Sequence, residues 1–173
     1  MKQGILALAL FGCGALAVTP LWAAEKIELT TRVSGVVDQV LVKVGQRVSK
    51  GTVLLRLETT ILQARLDEAM AEHARAQADE ADAARELGRA QEMFNRTVSS
   101  TSELEAATLR HARAQANLSA ANARKLIAQK NLNDAELKAP LDGVIGGLPG
   151  APGTVVSAEC QPKTLVILST GRP

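Results

Sequence analysis

An α+β protein is predicted: a β-sandwich assembled from two half-motifs and interrupted by a long antiparallel α-helical coiled-coil hairpin. Three observations predict it. Residues 59–138 contain one glycine, Gly88, and no proline, whereas both flanks are rich in glycine and β-branched residues. The two flanks repeat one another at a constant offset. The segment between them carries two heptad patterns that match layer by layer when the chain is folded back on itself.

Residues 1–24 stand apart from the rest. Lys2 precedes an uncharged run, and the small residues Ala23 and Ala24 follow Pro20 and Trp22, the order of regions in a secretory signal cleaved after Ala23 or Ala24. The 21 uncharged residues from 4 to 24 are also about enough for an uncleaved inner-membrane anchor, although Pro20 would disturb its end. A lipoprotein signal around Cys13 is a third reading, and it would leave a greasy mature N-terminus. Cleavage removes Lys2, one of 20 basic residues, and leaves 19 against 18 acidic ones. A net charge of +1 gives no nucleic-acid footprint. Cys160 becomes the only cysteine, so an internal disulfide is excluded and the residue reads as a small inert side chain, with a free exported thiol as the alternative. Export points to the periplasm. With 173 residues and 22% charge, the chain is not a membrane-embedded bundle.

Residues 25–58 form the first half-motif. Alternating Val40, Val42 and Val44, with glycines at 35, 45 and 51, predict several short strands joined by tight turns. Residues 139–173 form the second. Offset by 108 positions, Gly35 falls on Gly143, Val37 on Ile145, Gly45 on Gly153 and Val48 on Val156. Each half is too small to bury a core alone, so the two must pack together.

Residues 59–138 bring the halves together as a hairpin with its turn near 97–100. Thr60 with Gln63, and Ser100 with Glu103, have capping-box spacing for the two helix starts, and Pro140 is expected to stop the second helix. Helix one carries Leu62, Leu66, Ala69, His73 and Ala76, then Glu80, Ala83, Leu87, Ala90 and Phe94, at alternating steps of four and three. Helix two carries Leu104, Ala107, His111, Ala114 and Leu118, then Ala121, Lys125, Ala128, Leu132 and Ala135. These are coiled-coil seams. Facing layers of an antiparallel pair should have constant residue-number totals, and Phe94 with Leu104, Leu87 with His111, Glu80 with Leu118 and Leu66 with Leu132 all total 198. Phe94, the only aromatic after residue 22, is expected to plug the last layer against Leu104. At 1.5 Å per residue the hairpin reaches roughly 50 Å from the flanks.

A flank reading VSGVVDQVLVKVGQRVSKGTVLLRLE, a second reading LKAPLDGVIGGLPGAPGTVV, and a coiled coil splitting them resemble the periplasmic adaptors of tripartite pumps, the membrane fusion proteins that include HlyD-like secretion adaptors. The resemblance implies that the halves form a split lipoyl-like domain. A true lipoyl or biotinyl carrier presents a lysine at the hairpin between its halves; here Glu58, Thr59 and Thr60 lead into the helices, so no covalent cofactor is expected.

The resemblance also points to the hairpin tip. Adaptors that dock onto TolC-like outer-membrane channels carry an arginine, a leucine four residues on and a serine seven further; Arg89, Met93 and Ser100 have that spacing. Residues i and i+4 share a helix face, so Arg89 would offer donors to carbonyls of a partner while Met93 packs beside them. On spacing alone, the same residues read as a solvated charge, a peripheral hydrophobe and a helix cap. His73 and His111 lie roughly 21 Å apart along the rod by the layer totals, too far to share a metal ion. No nucleophile–base pair, phosphate loop or paired carboxylate stands out, so the expectation is not an enzyme.

The resemblance implies a homo-oligomer, a ring and often a hexamer, partnered by an outer-membrane channel and an inner-membrane transporter. Family members usually continue into a β-barrel and a membrane-proximal domain. The expectation here is a short form, with those parts supplied by another subunit or absent from a minimal or truncated adaptor. A lipoyl- or biotinyl-type carrier subunit and a passive coiled-coil spacer are the alternatives.

Overall fold

Eight short strands and two long helices make up the computed structural model, which describes residues 25–97, 100–158 and 163–170. The expected signal segment, the centre of the hairpin turn at 98–99 and Cys160 lie outside the described residues. The chain runs β1 (Glu25–Leu29), β2 (Gly35–Val40), β3 (Arg47–Val48) and β4 (Val53–Leu57), then α1 (Thr60–Asn95) and α2 (Thr101–Asn133), then β5 (Glu136–Lys138), β6 (Gly143–Gly147), β7 (Val155–Val156) and β8 (Val166–Thr170).

Each sheet takes strands from both flanks. One is ordered β1-β8-β6-β3 and the other β5-β4-β2-β7, with antiparallel pairing throughout. Exchanging β1–β4 for β5–β8 converts one order into the other, an internal two-fold relation. Its hydrogen bonds follow it. Gly45 donates its N–H to the Ile145 carbonyl at 2.8 Å, and Gly153, 108 residues later, donates to Val37 at 2.8 Å. Both glycines hold left-handed backbone, φ 84° and 82°, where a Cβ would be strained; the two turns have glycine for that reason. Neither half can form its sheet without the other.

The sandwich interior is aliphatic. Leu54, Leu55, Leu57, Ile145, Leu165 and Leu168 are fully buried, and Leu62 and Ala135 from the feet of the helices join the same core. The hairpin is therefore rooted in the sandwich.

Both helix boundaries at the root differ from the sequence expectation. Thr59, not Thr60, is the N-cap of α1, and its side chain makes no cap hydrogen bond. Pro140 does not stop α2, which ends at Asn133. The buried Ala135 carbonyl accepts the Leu57 N–H at 2.9 Å, so pairing with β4 captures the chain before proline is reached. Residues 136–138, counted with the hairpin in the sequence, form β5 on that strand.

One ionic cluster closes this joint. Arg56 Nε donates to Glu136 Oε1 at 3.0 Å, and Lys138 Nζ lies 3.1 Å from Oε2. The Lys138 hydrogen bond, aided by the charges of Lys138 and Arg56 and opposed by partial desolvation, holds the Glu136 carboxyl below its ordinary range. A carboxyl depressed in the folded state stabilises the protein above its unfolded pKa, and that contribution is lost as pH falls through the folded value. Glu136→Gln should therefore flatten part of the acid-side decline in unfolding free energy measured by urea titration. Parallel declines in parent and variant would refute the linkage.

Candidate functional site at the hairpin tip

The seam positions of both helices are withdrawn from solvent along nearly the whole rod. Leu62, Leu66, Ala69, Ala76 and Ala90 are buried on α1, and Ala107 and Ala121 on α2. Across the seam Glu72 pairs with Arg124, and Arg110 Nη1 donates to Glu86 Oε1 at 2.6 Å. Phe94 departs from expectation: it is 38% exposed and does not plug the last layer. That layer is the last of the seam, and α1 ends one residue later.

The two helix ends at the tip are finished differently. At the end of α1 the Arg96 N–H donates to Glu92 at 3.1 Å and the Thr97 N–H to Phe94 at 2.9 Å, with Thr97 in left-handed backbone at φ 59°. A β-branched residue there is strained. At the start of α2 the capping box forms: the Ser100 hydroxyl accepts the Glu103 N–H at 3.3 Å, and the Glu103 carboxylate accepts the Ser100 N–H at 3.2 Å. A carboxylate in the first turn also suits the helix dipole.

Just below these ends a groove of about 470 Å³ opens between the helices. Ala90, Ala106 and Ala107 lie between the helices there; Glu86, Arg89, Met93, Glu103 and Arg110 also line it. Two predicted residues therefore meet in one place. Arg89 and Met93, one helical turn apart, share the rim, with Met93 46% exposed. Arg89 is exposed and, among the described residues, makes no ion pair or side-chain hydrogen bond. Ser100 lies outside the lining and caps α2.

Sequence reading passed over Glu86 and Arg110. Each looks like a solvated charge in one dimension, and only the antiparallel register sets them opposite one another. Their pairing is exposed and worth little stability, but it fixes one wall of the groove beside Arg89. The histidines do not converge. His111 Nε2 lies 3.1 Å from Glu80 Oε1, and His73 is half-buried nearer the root.

Against known proteins, residues 25–165 match the family model described as the CzcB-like, barrel-sandwich hybrid domain. The chain belongs to this family. The uncharacterized protein YdhJ of Escherichia coli K12 is 34% identical over 125 residues, covering 72% of this chain and 44% of that protein. The efflux pump periplasmic linker BepF of Brucella suis biovar 1 is 30% identical over 145 residues, 84% of this chain and 35% of that one. Among solved structures, the membrane fusion protein Spr0693 of Streptococcus pneumoniae R6 superposes with a TM-score of 0.63 at 20% identity, over 84% of this chain and 60% of its own, a likeness of fold. The chain spans less than half the length of these curated relatives. Among the described residues no helix is long and apolar enough to cross a membrane.

Proposed function

We propose that this member of the family is a periplasmic adaptor of a tripartite efflux or secretion system, bridging an inner-membrane transporter to a TolC-like outer-membrane channel. It is exported by its N-terminal signal, and acts by binding, not by catalysis. Copies assemble as a ring through the lipoyl-like base, and the hairpin tips meet the channel. One observation carries the reading: at the tip an unpaired Arg89 and a half-exposed Met93 share the rim of an alanine-lined groove. A groove with small side chains between its helices admits a helical turn or loop, the guanidinium satisfies carbonyls at that turn, and the thioether fills irregular gaps. Ser100 acts by holding the first turn of α2 in register with the last turn of α1. The relatives named as multidrug resistance and efflux-linker proteins support the same reading.

Arg89→Asp should abolish tip-directed crosslinking to the channel and lower efflux at least ~10-fold, as expected for a hot-spot arginine replaced by the opposite charge. Export and thermal stability should be unchanged, because Arg89 is exposed and, among the described residues, makes no ion pair or side-chain hydrogen bond. Undiminished crosslinking and efflux would refute the docking assignment.

A further inference from the structure

The joint between sandwich and hairpin carries more positive charge than it neutralises. A crevice of about 410 Å³ opens there between the loop joining β1 to β2, the last turn of α2, and β5. Arg32 lines it from the loop, Lys130 from α2 and Lys138 from β5. Asp134 and Glu136 line it too, but both are already engaged. Asp134 pairs with Lys130, and Glu136 is shared between Lys138 and Arg56 of β4. Four cations thus meet two carboxylates, an excess of two positive charges at one joint of a chain whose entire formal net charge is +2.

Arg32 is exposed and, among the described residues, makes no ion pair or side-chain hydrogen bond. Its backbone is nonetheless held in place. The Thr31 hydroxyl donates to the Val33 carbonyl and accepts the Val33 N–H, both at 3.1 Å, and Thr31 and Val33 are buried on either side of it. The fold does not call for a cation here: at the repeat offset of 108, Arg32 falls on Pro140.

We propose that this crevice binds a phosphate group, held jointly by Arg32, Lys130 and Lys138. An ammonium has three donors, so each lysine keeps two after its carboxylate is served, and a guanidinium carries five. Donors arriving from three separate elements need an acceptor with oxygens facing several ways, which a tetrahedral oxyanion has and a planar carboxylate lacks. Thr30 and Asn133, also in the lining, add a hydroxyl and an amide. A phosphomonoester carries about −1.5 to −2 at neutral pH, which matches the excess. The Glu136 carboxyl, depressed first by its hydrogen bond from Lys138, reports the same positive surroundings. The carbonyl end of α2 opposes an anion. Two of its last carbonyls are already occupied, however, Lys130 by the Asp134 N–H at 2.9 Å and Leu132 by the Ala135 N–H at 3.2 Å. A nucleotide is disfavoured, because no aromatic side chain lines the crevice to stack on a base. The carrier is therefore a non-aromatic one: free phosphate, a sugar phosphate or a lipid headgroup. Arg32 belongs to the sandwich and Lys130 to the hairpin, so an occupied site ties the two together and stiffens the joint.

This inference stands without the channel reading, and its test is separate. Inorganic phosphate titrated into the exported full-length chain by calorimetry, replacing chloride at constant ionic strength, should bind saturably with half-saturation at about 1 mM or below. Arg32→Gln should weaken binding at least ~10-fold, and Lys130→Gln likewise. Lys43→Gln, which removes an exposed cation between β2 and β3, should leave it unchanged, as should Arg89→Asp at the tip. The urea midpoint of Arg32→Gln without phosphate should equal that of the parent, since the side chain is exposed and unpartnered among the described residues. With phosphate present, hydrogen exchange should slow at residues 30–34 and 130–138 in the parent and not in Arg32→Gln. Sedimentation with phosphatidylglycerol vesicles separates the two sources: binding that inorganic phosphate displaces assigns the group to a lipid headgroup, and phosphate binding without vesicle binding assigns it to a soluble compound. No saturable phosphate binding, equal losses in Arg32→Gln and Lys43→Gln, or a glutamate-rich peptide bound in preference to phosphate would each overturn the proposal.

Discussion

Replacing Gly143 with alanine is expected to cost about 2–3 kcal/mol, while the same change at its repeat equivalent Gly35 stays within about 1 kcal/mol. The two glycines lie 108 residues apart and read alike, yet their surroundings differ. A Cβ on Gly143 would fall 2.9 Å from the Ser169 carbonyl oxygen and 3.0 Å from Leu168 Cδ1. Backbone of β8 and a fully buried leucine would both have to move. On Gly35 the added carbon would meet Leu57 at 3.6 Å, an ordinary contact. The cause is a slip in the repeat. Val37 pairs with Leu57 in one sheet and Ile145 with Leu168 in the other, so the offset is 108 at the first partner but 111 at the second. The longer connection before β8 lets that strand settle closer over Gly143. Urea midpoints at constant m-value report the outcome, with a displacement of about 1 M for Gly143→Ala given a slope of 1–3 kcal/mol per M. Equal displacements at the two sites would refute the argument.

This slip shows why parts of the chain were readable and others were not. The repeat is visible wherever the same turn must be made twice, because left-handed backbone at Gly45 and Gly153 leaves few alternatives to glycine. It fades after β7, where nothing forces the two connections to be alike. The seam is legible for a similar reason. Its period is imposed by helix geometry, and His73, Glu80 and Lys125 sit in it half-buried although they are polar. Boundaries followed different rules. A threonine and a proline suggested where α1 should start and α2 should stop, but the decisive group was the Ala135 carbonyl taken by Leu57, a contact across 78 residues that no local pattern announces. At the tip, Arg89 and Met93 were singled out by the family resemblance, since spacing alone reads them as a solvated charge and a peripheral hydrophobe, whereas the groove beside them exists only once α2 returns with Ala106, Ala107 and Arg110.

Ala121→Glu is expected to open the middle of the hairpin while leaving the sandwich folded. Ala121 is 2% exposed and sits at the level of Ala76, 8% exposed, where only small side chains fit between the axes. A glutamate forced into that layer overfills the space between the axes, which costs about 1–3 kcal/mol, and a carboxylate that stays between the helices without reaching Lys125 one turn on adds the cost of a buried charge. The rod cannot absorb this elsewhere, because its seam is thin and each layer touches only its neighbours. The sandwich core draws on Leu62 and Ala135 at the foot of the hairpin but on nothing at the level of Ala121, so its cooperative unit is separate. Hydrogen exchange should therefore show lost protection in both helices from the Ala121 layer toward the tip, with protection in β4 and β6 retained. Ala120→Glu, an exposed neighbour, should change neither. Function provides a second readout: about 30 Å separates Ala121 from the tip, yet a rod that no longer holds α2 against α1 cannot keep Met93 and Arg89 on the rim of one groove. Channel crosslinking should fall in Ala121→Glu although every tip residue is intact, and full crosslinking with a deprotected hairpin would show that the tip docks without a rigid rod behind it.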